Sequence, residues 1–369
     1  MEPVTHFLTG ACIGRAGLNR KTAYATLAGL LAAEAADSDI LWSLRGPVEE
    51  LKHHRGITHT LVGAPVVAGV VVGSVWLLDR WLQHRRDRRV ALGKPVKAPP
   101  VAVNWPWLYL TALIAALSHI LLDWTNNYGV RPFFPFNPHW YEGSIVFIGE
   151  PILWALLLAA LILPALFGLA DREIGVRRKP FASRGWAILA LGGMVLLWGW
   201  RYSEHARTAT LLNNLQVTSE PVMRMAIEPY PVNPFRWHAI LETAHYYQTA
   251  EVNSRTGEID TDPHRDLIYK PTDTPAIEAA KQTPLGQVYL DWGSWAVMRD
   301  LGQQPVDGMD PPNLPANRIW TTVEFTDLRF RYSFLGQGRA TGHSPLAGYV
   351  YIVDGHDDAG EAMNGREQR

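Results

Sequence analysis

The distribution of long apolar runs constrains this chain most. A helix crossing the hydrocarbon core of a bilayer needs about 20 mostly apolar residues. Four stretches qualify: Ile57 to Leu78, Trp105 to Trp124, Ile145 to Ala170 and the shorter, Trp-bounded Trp186 to Trp200. Two shorter apolar pieces precede them, Val4 to Gly17 and Thr22 to Ala36, split by Leu18-Asn19-Arg20-Lys21, which reads as a helical hairpin with a basic tip. At 1.5 Å per residue each arm is only about 21 Å long, enough to penetrate a bilayer without fully crossing it. After Trp200 polar and apolar residues alternate and no run is long enough to span. The near-zero mean hydropathy is therefore an average over two classes of sequence. The expected fold is a polytopic α-helical membrane domain with about six segments, the first two short, followed by a soluble, mostly β (α+β) domain. The expected boundaries are residues 1–201, 202–354 and a flexible polar tail, 355–369.

A soluble helical protein would also show apolar runs, of ten to fourteen residues. Ile145 to Ala170 is longer and holds a single ionisable residue, Glu150. Charge agrees with the membrane reading. With the hairpin tip inside, the inside connections hold Arg15, Arg20, Lys21, Arg80, Arg85, Arg86, Arg88, Arg89, Lys94, Lys97, Arg172, Arg177, Arg178, Lys179 and Arg184. The outside ones hold only Arg45, Lys52, Arg55 and Arg131, the bias expected of the cytoplasmic side of an inner membrane. Both termini, and the domain after Trp200, then lie on the periplasmic or outer side. Met1 to Ala11 carries Glu2 and His6 but no Lys or Arg, unlike a cleaved signal, so the first segment is expected to stay. A net charge of −1 gives no footing for nucleic acid. Cys12 is the only cysteine, so no internal disulfide forms.

Under this topology the unusual polar residues gather at the outer helix ends. His6 opens the first arm; Asp37 and Asp39 close the second; His53, His54, Arg55, Thr58 and His59 precede the next helix; His119, Asp123 and Asn126 finish the third; Glu150 opens the fourth. His119 and Asp123, spaced i, i+4, leave one helix face a turn apart and can grip one ion. Ionisable groups beside Leu117, Ile120, Leu121 and Leu122 are costly near lipid unless they face a polar interior. Asp37 and Asp39 point the same way if the backbone there is extended. Imidazole with carboxylate suits zinc, manganese or iron better than magnesium alone. Taken singly, His6 reads as an interfacial histidine, the two aspartates as a helix-end loop, and His53 and His54 as a solvated turn. His139 reads as interfacial. Glu150, with Pro151 after it, is balanced between a buried functional carboxylate and an outward-facing helix start.

These residues fall in an order that resembles the inner-membrane metal-dependent hydrolase family built on an uncharacterised domain also described as LexA-regulated. Thr5-His6 with Gly10 looks like its opening motif, and Asp37-Ser38-Asp39 is similar to its Pro-Asp-x-Asp. His54-Arg55-Gly56-Ile57-Thr58-His59-Thr60 resembles its His-Arg-Gly-x-Thr-His-Ser, and Ser118-His119-Ile120-Leu121-Leu122-Asp123 its Ser-His-x-x-Leu-Asp. Asn233-Pro234-Phe235-Arg236-Trp237 resembles a segment in the tail of longer members. Ala36 stands where the family usually has proline, and Glu150 where aspartate is expected. The resemblance implies a metal-dependent hydrolase. A distant likeness to zinc phospholipase C and nuclease P1 is analogy alone.

The site expected is a set of metal ligands, His6, Asp37, Asp39, His54, His59, His119 and Asp123, holding one or two divalent ions, zinc or manganese. Arg55 is expected to clamp a phosphate and Glu150 to act as ligand or base. The expected activity is phosphoester cleavage, by a metal-activated water, of a membrane lipid or lipid-linked substrate at the outer face. The alternatives are a metal-ion transporter or channel, since intramembrane carboxylates and histidines also mark ion paths, and a structural envelope protein whose metal only ties helices together.

In the second half, Trp237 to Val252 reads as a strand that turns at Asn253 to Gly257 and returns at Glu258-Ile259. Ile319 to Phe334 and Leu346 to Val353 read as further strands, and Ala276 to Leu301 as helix broken at Pro284. His205, His238, His245, His264 and His343 lack ligand spacing and read as ordinary surface or core histidines.

Overall fold

The computed structural model describes residues 1–96, 101–173, 183–215, 217–315, 317–335 and 346–368. Lys97, Arg177, Arg178, Lys179 and His343 lie outside the described residues. In chain order the helices are α1 (Pro3–Arg15), α2 (Ala25–Glu34), α3 (Pro47–His53), α4 (Gly63–Ala91), α5 (Trp105–Trp124), α6 (Pro151–Glu173) and α7 (Arg184–Asn214). The strands follow: β1 (Arg224–Pro229), β2 (Arg236–Glu242), β3 (Tyr246–Asn253), β4 (Glu258–Asp260) and β5 (Leu267–Tyr269). After α8 (Pro275–Gln282) and α9 (Pro284–Trp292) come β6 (Ala296–Asp300), β7 (Trp320–Asp327), β8 (Gly348–Val353), β9 (Asp357–Met363) and β10 (Arg366–Glu367). Two compact units result. The first comprises Met1–Ser38, Arg55–Glu204 and Pro229–Pro234; the second comprises Asp39–His54, His205–Glu228 and Phe235–Arg369.

The first unit is helical. Among the described residues three helices are long and apolar enough to cross a membrane, Gly63–Ala91, Trp105–Trp124 and Pro151–Ala170. Their outward residues are apolar, as lipid-facing positions must be: Val66, Val70 and Leu77 on α4, and Leu158, Ile162 and Phe167 on α6, are exposed. The six segments expected are not all of this kind. The hairpin arms are 13 and 10 residues long, about 20 and 15 Å of helix. α7 has 31 residues, but its apolar part is cut short by Arg201 and Glu204. The other boundaries move too: Ile57–His59 is a 3-10 turn ahead of α4, and α6 begins only at Pro151.

Small residues let these helices approach closely. A Cβ on Gly10 would stand 2.3 Å from the Gly29 carbonyl oxygen and 2.7 Å from Ala33 Cβ, so α1 and α2 touch backbone to backbone. Ala28, Ala32 and Ala33 of α2 meet Ala112 and Ala115 of α5 and Ala68 and Val71 of α4 in one buried cluster. On α5 the buried face runs Leu108, Thr111, Ala112, Ala115, Ala116, His119, Leu122 and Asp123, the 3.6-residue stripe of a packed helix. The alanine stripe thus delivers His119 and Asp123 to the interior.

The second unit carries two sheets. One has the order β1-β2-β3-β4 with β5 also on β3; the other has the order β10-β9-β8-β7-β6, antiparallel throughout. Four expectations are corrected here. Trp237 to Val252 is two strands, because the chain folds back at Thr243, whose amide and hydroxyl both donate to the Tyr246 carbonyl (2.9 Å each). The helical stretch ends at Trp292, where Gly293 follows, and Ala296–Asp300 is a strand paired with β7. β7 itself ends at Asp327 and runs into a 3-10 turn. Residues 355–368 are not a free tail: Asp357–Met363 pairs with β8, and Gln368 Oε1 accepts from the Val48 amide (2.9 Å). Tail polarity reflects an exposed edge strand, not absence of structure.

Candidate metal centre

Glu2 caps α1, accepting from the Thr5 amide (2.9 Å), and sets His6 on the helix's inner face. His6, Asp37, His59, His119 and Asp123 meet inside the first unit. His6, His59, His119 and Asp123 are fully buried, and a quarter of the Asp37 side chain is exposed. Two overlapping groups have the composition and spacing to hold a cation: His6, Asp37 and His119, and His59, His119 and Asp123.

The distances are informative. His119 Nε2 lies 3.0 Å from His59 Nε2, 3.3 Å from Asp123 Oδ2 and 3.5 Å from Asp37 Oδ1. His59 Nε2 lies 3.2 Å from Asp37 Oδ1 and 3.5 Å from Asp123 Oδ2, and His6 Nε2 3.4 Å from Asp123 Oδ1. Donors bound 2.0–2.1 Å from one tetrahedral ion stand roughly 3.3 Å apart. The side chains are thus spaced as ligands around a small ion.

Protonation agrees. A carbonyl only accepts, so His119 Nδ1, 2.5 Å from the Ala33 carbonyl oxygen, carries a proton and donates it there. In its neutral form His119 would present its lone pair at Nε2, the arrangement that orients metal-binding histidines. The ring of His6 stacks on His119 (centroids 3.7 Å apart), and neither His6 nitrogen nor Asp123 Oδ2 makes a hydrogen bond of ordinary geometry. Buried polar atoms left so are costly unless something else satisfies them. These residues therefore fit a divalent cation.

Asp123 is steered from its other oxygen. Arg55 Nη2 donates to Asp123 Oδ1 (2.7 Å), Arg55 Nη1 donates to the Gly129 carbonyl, and the guanidinium lies over the Tyr128 ring (4.6 Å). The Met1 amino group also pairs with Asp123. Arg55 sits at φ 52°, the left-handed region that a non-glycine residue occupies only at a cost.

The other expected residues lie elsewhere. Asp39 and His54, in the second unit, face each other (Oδ2 to Nδ1 3.7 Å) and belong to neither donor group. Glu150 is fully buried, which rules out the outward-facing alternative. It pairs with Arg201 (2.8 Å) and accepts from the Val232 amide (3.1 Å), and it too belongs to neither donor group. His139 is exposed against Tyr141, and His53 stacks on Trp42.

Sequence reasoning missed one participant, a backbone group, and two buried charged residues outside the donor groups. The Ala33 carbonyl gave no signal, since a backbone acceptor has none. Arg201 was legible as a charge ending an apolar stretch. Asp79, buried in α4 and bonded to Tyr24 (3.0 Å) and Gln83 (2.6 Å), was legible only through its i, i+4 spacing to Gln83.

Apolar helices that enclose a histidine and carboxylate cluster define a membrane protein with a buried polar centre. The chain belongs to the YdjM inner membrane protein family, whose model matches residues 1–208, a stretch containing all five clustered residues together with Arg55 and Glu150. Its location is accordingly the inner membrane. It is similar also to a Bacillus subtilis (strain 168) protein described as uncharacterized protein YfhP, 24% identical over 169 residues, which are 44% of this chain and 45% of that protein. The match thus spans less than half of that relative's length. No solved structure matches the chain.

Proposed function

We propose that this chain is a multi-pass, membrane-bound, metal-dependent hydrolase that cleaves a phosphoester of a lipid or lipid-linked substrate at the periplasmic face. The observation that carries the reading is the 3.0–3.5 Å spacing among donor atoms of His6, Asp37, His59, His119 and Asp123. A divalent ion such as zinc or manganese, one or two of them, supplies a bound water of lowered pKa and polarises an ester oxygen. His59, His119 and Asp123 would hold it, with His6 and Asp37 completing or sharing the set. Asp37 is the most exposed of the five and marks where solvent reaches the cluster. Arg55 keeps a permanent positive charge beside the ligands, which favours an anionic substrate such as a phosphoester.

A second reading, a metal that only ties helices together, is favoured by the full burial of His6, His59, His119 and Asp123. The two separate by experiment. Metal analysis of the purified full chain is paired with hydrolysis assays on phospholipids and a chromogenic phosphodiester. The expected result is stoichiometric metal, lost in His59→Ala and His119→Ala together with turnover. Full metal content in both variants removes the metal centre. Loaded protein inert toward every phosphoester, yet melting lower once the metal is stripped, supports the structural reading instead.

A further inference from the structure

A second site lies at the other end of the helical unit. His6 is near the start of α1 and His119 near the end of α5, so the end of α1 and the start of α5 lie away from the histidine cluster. There a groove of about 790 Å³ opens between the hairpin tip, α5 and α7. Ile13, Ile114 and Leu191 form its apolar wall, and Arg20, Lys21 and Arg184 its rim. None of its lining residues is acidic.

We propose that this groove binds an anionic phospholipid, the headgroup phosphate on the basic rim and an acyl chain along the apolar wall. The rim is a built feature. Arg184 Nε donates to the Ala16 carbonyl (3.2 Å) at the end of α1, which anchors its guanidinium at the hairpin tip. Gly17, at φ +146°, leaves room for that side chain: a Cβ there would meet Arg184 Nε at 3.3 Å. Lys21 lies 5.6 Å from the centroid of the Trp107 ring, an aromatic at the helix start where membrane interfaces concentrate them.

Charge and shape together select the ligand. Lys21 and Arg184 bring positive charge to a groove whose lining holds no carboxylate, which favours an anion there. A free phosphate would satisfy them but leave the wall uncovered, whereas a zwitterionic lipid would cover the wall and bring its own cation to the rim. Basic pockets between membrane helices are recognised settings for anionic headgroups. The inference does not rest on the hydrolase reading, since no residue is shared with the histidine cluster.

The test uses the purified full chain, with lipid retention read by native mass spectrometry after exposure to equal phosphatidylglycerol and phosphatidylcholine. Competition by glycerol 3-phosphate supplies the soluble arm. Wild type is expected to retain phosphatidylglycerol preferentially. Arg20→Gln, Lys21→Gln and Arg184→Gln should each weaken that preference about 5-fold, from about 1 kcal/mol per basic residue near a headgroup. Arg88→Gln with Arg89→Gln, at the exposed end of α4, controls for bulk charge and should leave it unchanged. Should Arg184→Gln unfold through loss of its tie to Ala16, Lys21→Gln alone must still show the effect. The proposal is overturned if groove variants keep wild-type preference, if the α4 control lowers it equally, or if glycerol 3-phosphate displaces the lipid at matching concentration.

Discussion

Arg55 shows what a single residue contributes and how much of it a sequence discloses. Its permanent charge barred it from metal ligation at sight, and the expectation was a clamp on substrate phosphate. The structure spends the side chain on Asp123 Oδ1, leaving Oδ2 turned toward His59 and His119. Groups that orient a ligand are worth about 10- to 100-fold in metal affinity when removed. Arg55→Ala is expected to weaken metal binding by that factor while the chain stays folded. Arg55→Lys should recover only part of it, since an ammonium lacks the planar fork that also reaches the Gly129 carbonyl. Titration of the metal-stripped protein with zinc checks this; an unchanged affinity in Arg55→Ala removes the orienting role. The aspartate pair carries a second lesson. An extended backbone would aim Asp37 and Asp39 the same way, but Ala35–Arg45 is a 3-10 helix. At three residues per turn, positions two apart leave on different faces. Asp37 accordingly meets His59, whereas Asp39 meets His54. The i, i+4 pair on α5 was legible because a long apolar run fixes its period; the aspartates were not, because a short polar stretch fixes none.

At the scale of elements, the contact between α1 and α2 sets the centre's dimensions. α1 carries His6, and α2 carries Ala33, whose carbonyl holds His119. Their separation is set by Gly10 and Gly29, where an added Cβ meets backbone oxygen at 2.3 and 2.5 Å. Gly10→Ala must push the helices apart, and overpacking of this kind costs about 1–3 kcal/mol. The expected outcome is a lower unfolding temperature in detergent together with reduced metal content. Gly69→Ala on α4, where an added Cβ meets nothing within 4 Å, should change neither. Equal melting temperatures for Gly10→Ala and wild type would show that the hairpin yields at no cost. The hairpin was readable from two apolar arms around a basic tip. The fold-back at Thr243 was not, since β2 and β3 have the same strand-like composition and the reversal rests on one threonine bonding across it.

For the whole molecule, the division into an apolar helical part and a β-rich part was legible because burial in lipid and burial in a sheet leave different periods in the sequence. The assembly of the centre was not, because five side chains from four separate segments meet only when helices pack. The second unit should respond to acid. In the second unit, burial lowers His238 to about 4, and its ring nitrogen donates to the Leu328 carbonyl (3.1 Å). The unfolded histidine takes up its proton near pH 6.5, so the native state binds fewer protons between there and pH 4. Stability from this group is complete above about pH 6.5 and falls as pH drops toward 4, by on the order of 3 kcal/mol in all. Hydrogen exchange of β2 and β3 amides in the full chain should therefore quicken on acidification. His238→Gln, which keeps a donor for Leu328, should flatten that dependence; an equal slope in both proteins would assign the acid sensitivity to other groups.

Orientation is the property of the whole chain on which the proposed periplasmic chemistry depends. The clustered residues occupy one end of the apolar helices, while α4 runs on at its other end through Arg80, Arg85, Arg86, Arg88 and Arg89. Basic residues concentrate on the cytoplasmic side of inner-membrane proteins. On the proposed orientation the end of α4 would lie inside and the chain after α7 outside. Cysteine accessibility decides it, and the chain suits the method: its only cysteine, Cys12, is fully buried and gives little background. Arg86→Cys is expected to stay unlabelled by an impermeant maleimide added to intact cells and to react once the membrane is opened. Thr256→Cys, in the exposed turn between β3 and β4, is expected to react from outside in both states. The reverse pattern would turn the histidine cluster toward the cytoplasm and end the periplasmic assignment, leaving its metal geometry untouched.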